Sequence, residues 1–208
     1  MTNQAAILAC VDPVNAHWQL GPLPPAQGRM LLIGWRLPLP AVDSGVPEVV
    51  AAILARALTS VARVSFPVSD DAAIALKGEA AIVKLVSTCE AETAVRMFAD
   101  PGYPWHLQGQ VALLSPLHSR APKIDRKALL SLLSGHWTKP DGQLRQFHSL
   151  GILAVIRPGV DGDIGGVLSL SDGFANTLLE ALECAAGNAQ FAWFRLPEDD
   201  FANMLAKA

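Results

Sequence analysis

Residues 109–114 (GQVALL), 150–156 (LGILAVI), 167–171 (VLSLS) and 190–196 (QFAWFRL) are four apolar runs bounded by turn residues, and they decide the reading of the C-terminal half. Two stretches at helical spacing fall between them. Over 122–134, Ile124, Ala128, Leu129, Leu132 and Leu133 share a face and Gly135 stands where a left-handed cap is wanted. Over 173–187, Phe174, Leu178, Ala181, Leu182 and Ala185 form a stripe, with Asp172 as the expected N-cap and Gly187 as the stop. Residues 107–196 therefore run strand, helix, strand, strand, helix, strand, the split βαβ or ferredoxin-like order. Each helix has a single apolar stripe, so both are expected on one face of a four-stranded antiparallel sheet.

Finer features follow from the same residues. Pro116 ends the first ladder, and the run at 150–156 is apolar throughout, as a central strand would be. Val167 and Ser169 alternate with Leu168 and Leu170, which predicts one solvated face for that strand. Residues 157–163 supply a turn-rich hairpin connection. A short helix from Glu198 to Lys207, acidic at its start and basic at its end, suits the helix dipole.

The N-terminal half repeats the rhythm less regularly. Strands are expected at Ala5–Val11, Arg29–Leu37, Arg63–Val68 and Ala80–Val86. Pro47 opens a strong helix in which Val49, Val50, Ile53, Leu54, Ala57, Leu58 and Val61 face inward while Glu48, Arg56 and Thr59 stay out. A short helical turn after Ser69 stops at Gly78, and a capping box, Ser87-x-x-Glu90, starts a helix that ends at Asp100-Pro101-Gly102. The fold expectation is thus α+β: two ferredoxin-like modules as a pseudo-repeat, mainly antiparallel, with helices on one face. The boundary falls between 1–106 and 107–208, unless the two halves merge into one domain.

With 208 residues, the chain has material for either arrangement. Half of it (51%) is hydrophobic and only 17% is charged, which fits either an apolar surface buried in a homodimer or protein complex, or the apolar sequence that two sheets with helices on one face need. A net charge of −3 offers no basic field for a phosphate backbone, so nucleic acid is excluded as the main partner. The one basic stretch, Lys123 to Lys127, is interrupted by Asp125. No apolar window is long enough to cross a membrane and no signal-like start is present, so a cytoplasmic location is expected. Cys10, Cys89 and Cys184 are odd in number and far apart, as reduced thiols in apolar surroundings would be.

Polar chemistry concentrates in three connections. The richest is 135–148, overlong for a helix-to-strand link, which carries His136, Trp137, Lys139, Asp141, Arg145 and His148. Arg145 is the natural anchor for a small anion, Lys139 a supporting charge, and His136 or His148 the titrating group. The plain alternative is a solvated loop in which Pro140-Asp141-Gly142 is a turn and Trp137 plugs the core. His-Trp neighbours recur at His17-Trp18 and Trp105-His106, so if the 12–28, 101–106 and 135–148 loops meet at one end of the sheet, His17, His106 and His136 would form a pocket rim, with Trp105 or Trp137 as an apolar wall.

Other near-motifs fail. His136-Trp137-Thr138 has the His-x-Thr pattern of two-histidine phosphoesterases, but the other candidates, at 17–19 and 106–108, lack the hydroxyl. Asp161-x-Asp163-x-Gly165-Gly166 with Asp172 has the spacing of a calcium loop but the wrong residues at its fifth and twelfth places. Ser171-Asp172-Gly173 sits between strand and helix without a nucleophile-elbow frame. No glycine-rich phosphate loop and no short-spaced metal ligands occur, and the sequence singles out no cofactor. Two function classes stand: a non-catalytic binding or accessory domain acting by dimerisation or partner docking, and an enzyme or small-anion or cofactor binder centred on 135–148.

Overall fold

The computed structural model of the chain describes residues 7–11, 29–36, 48–69, 82–99, 112–124, 147, 149–157, 164–187 and 190–194. In chain order these give β1 (Ile7–Val11), β2 (Arg29–Arg36), α1 (Glu48–Val61), β3 (Ala62–Ser69), β4 (Ile82–Thr88), α2 (Ala91–Ala99), β5 (Ala112–Pro116), β6 (Ala154–Arg157), β7 (Ile164–Ser169), α3 (Asp172–Ala186) and β8 (Gln190–Phe194). The fold is α+β. All the strands join one open sheet in the order β4-β3-β5-β6-β7-β2-β1-β8, antiparallel at every step except β1 against β8.

The three helices cover one face. α1 packs between α2 and α3, and side chains from all three enter the same buried cluster as Val64, Phe66, Ala112, Leu114, Ala154, Ile156 and Val167. α1 carries the chain from β2 to β3, two strands of the same direction, across β7, β6 and β5. α3 carries it from β7 to β8, also of one direction, across β2 and β1 the opposite way. Because β2 and β7 are antiparallel neighbours and both helices lie on one face, the two crossovers have the same hand, as the handedness rule demands.

The register explains why the central strands are so apolar. Thr88, Val64, Leu114, Ala154 and Ser169 stand in one row across five strands, and all five are buried. The opposite face carries Ser65, Leu113 and Val155 in the neighbouring row, each at 0% exposure although Leu113 and Val155 lie outside the helix-side cluster. The sheet is therefore covered on both faces at its centre, which demands apolar residues at successive positions rather than alternate ones. The solvated face expected for 167–171 is absent: Val167, Ser169 and Leu170 are all buried.

The same arrangement answers the low charge content. Interior positions on two sheet faces and most of α1 absorb the apolar side chains, and Val49, 42% exposed, is the one large apolar side chain on the surface among the described residues. α1 is flanked on both sides, so its buried arc is wider than one stripe. Thr59, expected outside, is buried with its hydroxyl donating to the Ala55 carbonyl at 2.7 Å, and Val49, expected inside, lies in the exposed first turn.

Residues 107–196 do not form a sheet of their own. β5 has β3 and β6 as neighbours, and β8 is parted from β7 by β2 and β1, so strands from both halves interleave in a shared sheet. Residues 122–124 are not helical, and the rest of the helix expected at 122–134 lies outside the described residues, as do the helix at 198–207 and the helical turn after Ser69. The cap of α3 shifts by one residue, and the capping box expected before α2 is replaced by a hydroxyl turn. The N-cap of α3 is Ser171, whose Oγ accepts from the Phe174 amide at 3.2 Å, while Asp172 is the first helical residue. Ahead of α2, the Thr88 Oγ1 accepts from the Glu90 amide at 2.9 Å, and Ser87 belongs to β4, its hydroxyl bonded across the ladder to Ser65 at 2.7 Å.

Candidate functional site

The strand directions sort the connections by the end of the sheet to which they are tied. β3, β6 and β2 begin at one end, called the lower end here, and β4, β5, β7, β1 and β8 run toward it. The connection 12–28 leaves β1 and enters β2, and 117–153 leaves β5 and enters β6, so both are anchored at the lower end. The connection 100–111 is tied elsewhere. It follows α2 just past Phe98, whose ring meets Phe66 midway along β3, and re-enters the sheet at Ala112, the end of β5 remote from Pro116. β5 separates the two anchor levels by about 13 Å.

Backbone bonds make the lower end rigid around β6. The Leu153 amide donates to the Leu114 carbonyl at 2.7 Å, and the Leu153 carbonyl accepts from Leu170 at 2.9 Å, extending β5, β6 and β7 by one more step. Phe147, 1% exposed, has a carbonyl that accepts from both Leu150 and Ile152, at 3.1 and 3.0 Å. This turn contains Gly151 at φ 70, a left-handed conformation that favours glycine. The overlong 135–148 connection thus ends on a buried aromatic plug beside the start of β6. The expected strand at 150–156 is shortened to 154–157 because its first residues form this turn.

The residues chosen from the sequence, His136, Trp137, Lys139, Arg145, His148, Trp105 and His106, lie outside the described residues, as does His17. What the structure gives is their tethers. Those of 135–148 and 12–28 share an end of the sheet, and those of 101–106 do not.

A second group of polar residues went unnoticed in the sequence: the turn after β5. The Ser119 amide and Oγ both reach the Pro116 carbonyl, at 2.9 and 2.7 Å, and the Cys89 Sγ donates to the Leu117 carbonyl at 3.7 Å. Arg63, second in β3 and in register with Ser115, donates through Nε to the Ser119 carbonyl at 3.0 Å. His118 and Arg120 flank Ser119 and are exposed. The signal available was a lone arginine at a strand start facing a Ser-Pro strand end, which by itself names no pairing.

Among the described residues no group of three or more His, Cys, Asp or Glu side chains is placed to hold a metal ion. The calcium-like spacing is broken, since Gly165 and Gly166 belong to β7 and Asp172 to α3. Cys89 is half-buried but Cys184 is exposed on α3, contrary to the expectation of apolar surroundings, and both are free thiols. No helix among the described residues is long and apolar enough to cross a membrane. Comparison with protein-family models, with curated proteins and with solved structures finds no match.

Proposed function

We propose that the chain is a non-catalytic binding or accessory domain of the cytoplasm that docks on a protein partner, a second copy of itself included, through connections held at the lower end of the sheet. The observation that carries this reading is the shared anchoring of 12–28 and 117–153 on a scaffold some of whose polar groups are engaged internally. Arg56, for example, donates to the Ala185 carbonyl at 3.1 Å and so ties α1 to the last turn of α3. Long connections on a rigid frame are where binding residues concentrate.

A two-module history goes with this reading. The units β1-β2-α1-β3 and β6-β7-α3-β8 have one element order, and their hairpins meet at the β2·β7 boundary, which supports a pseudo-repeat of α+β modules with 82–116 as additional strands and a helix.

Light scattering of the full chain from low to high micromolar concentration tests the docking reading. A mass that doubles with concentration, and is returned to the monomer by Trp137→Glu, is the expected result. A constant monomer mass, together with a co-purifying small molecule whose turnover the protein catalyses, would overturn it.

The second reading, a small-anion or cofactor site on 135–148, is favoured by the fixing of Phe147, which holds the end of that connection against the sheet. In it Arg145 grips the anion and His136 or His148 titrates, with Lys139, Trp137, Trp105 and His106 around them. Arg145→Ala should then weaken binding of a ligand identified by mass spectrometry of the purified protein, and unchanged affinity would remove the site.

A further inference from the structure

The turn at 116–120 is built more tightly than a surface connection requires. Hydrogen bonds from Ser119, Cys89 and Arg63 converge on the Pro116, Leu117 and Ser119 carbonyls, fixing the backbone on which His118 and Arg120 stand. Neither of those two side chains has a hydrogen bond or ion pair with a described residue, and Lys123, three residues on, is likewise exposed and has none with a described residue. Glu90 stands next to Cys89, and its Oε2 accepts from the Thr93 hydroxyl at 3.3 Å on the first turn of α2, while Asp125, two residues past Lys123, lies outside the described residues. Arg63, His118 and Arg120 are thus gathered at one turn of fixed backbone.

The engagement of Arg63 matters for what could bind. With Nε on the Ser119 carbonyl, the guanidinium has its two Nη groups free of described partners, and this end of the fork matches the two oxygens of one oxyanion. The ring N–H of His118 and the guanidinium of Arg120, on either side of the fixed carbonyl, add donors. We propose that Arg63, His118 and Arg120 form a binding site for a small oxyanion, the phosphate or carboxylate group of a ligand. The site is separate from 135–148 and stands or falls independently of the function proposed above.

Titration of the full chain with inorganic phosphate and with succinate, followed by calorimetry and by amide chemical shifts, tests this. Saturable one-to-one binding of either anion is expected, with shifts centred on His118, Ser119 and Arg120, and the tighter of the two identifies the group preferred. Arg120→Gln touches no described partner, so it leaves the fold intact and should weaken binding about tenfold, the loss of one charge-assisted hydrogen bond. Arg63→Lys keeps the charge but not the fork, and should weaken it similarly. Arg96→Gln, on the exposed side of α2, should change nothing. Absence of saturable binding to both anions, or an equal loss in Arg96→Gln that reveals only diffuse charge, would overturn the proposal.

Discussion

Phe66 on β3 and Phe98 on α2 meet edge to face, with ring centroids 5.1 Å apart and planes at 79°. Both are essentially sealed from solvent, at 0% and 1% exposure, so this pair joins the α2 end of the helix layer to the sheet. Phe98→Ala should lower stability by about 3–5 kcal/mol, the usual cost of emptying a buried aromatic position. A double-mutant cycle with Phe66→Leu and Phe98→Leu should show a coupling of about 1 kcal/mol. Urea unfolding followed by circular dichroism measures both, and additive losses would show that the ring geometry contributes nothing beyond burial.

The cap of α3 separates two neighbouring residues. Ser171→Ala removes the oxygen that accepts from the Phe174 amide and should cost about 1 kcal/mol. Asp172→Ala leaves that bond intact and should cost only the dipole contribution, about 0.5 kcal/mol at low salt. A larger loss from Asp172 than from Ser171 would contradict the cap assignment.

Two glycines at the ends of the same helix should respond in opposite senses. Gly187 has φ 57 and ψ −112, a backbone conformation closed to residues with a Cβ, although open space surrounds it. Gly187→Ala should therefore destabilise by about 1–2 kcal/mol through strain alone. Gly173, in the first turn, has ordinary dihedrals and equally open space, so Gly173→Ala should stabilise by about 0.5 kcal/mol through the unfolded chain. Paired melting curves would settle both signs.

Hydroxyls on the sheet face away from the helices make a third contrast. Ser65 and Ser87 satisfy each other at 2.7 Å, whereas the Ser115 Oγ, in a residue 2% exposed, has no partner among the described residues. Ser65→Ala should cost about 1 kcal/mol because it strands the Ser87 hydroxyl, and Ser115→Ala should be neutral or raise stability by about 1 kcal/mol. A marked loss on Ser115→Ala, read from the urea midpoint, would mean that its hydroxyl has an acceptor after all.

The elements themselves were legible in the sequence because local rules set them. Pro47, the Val-Ile-Leu spacing of 48–61 and the Asp172–Gly187 frame place two helices within a residue or two of where they lie, and the strands at 29–36, 62–69 and 190–194 follow from short apolar runs between turn residues. Class α+β and the absence of a long apolar helix among the described residues follow from the same local patterns. What only the tertiary structure decided is which strands are neighbours. Apolar runs at 112–116 and 154–157 say that a strand is buried on both faces but not beside what, so a split βαβ unit and the observed interleaved sheet are equally compatible with them. Thr59 and Ser169 are buried for a related reason: a hydroxyl can enter the interior where a backbone carbonyl is within reach, and that acceptor is set by the folded backbone. The Arg63–Ser119 bond links residues 56 positions apart, and no local pattern encodes it. It exists because β3 and β5 pair in one register, which places a strand's first arginine against the turn that ends its neighbour.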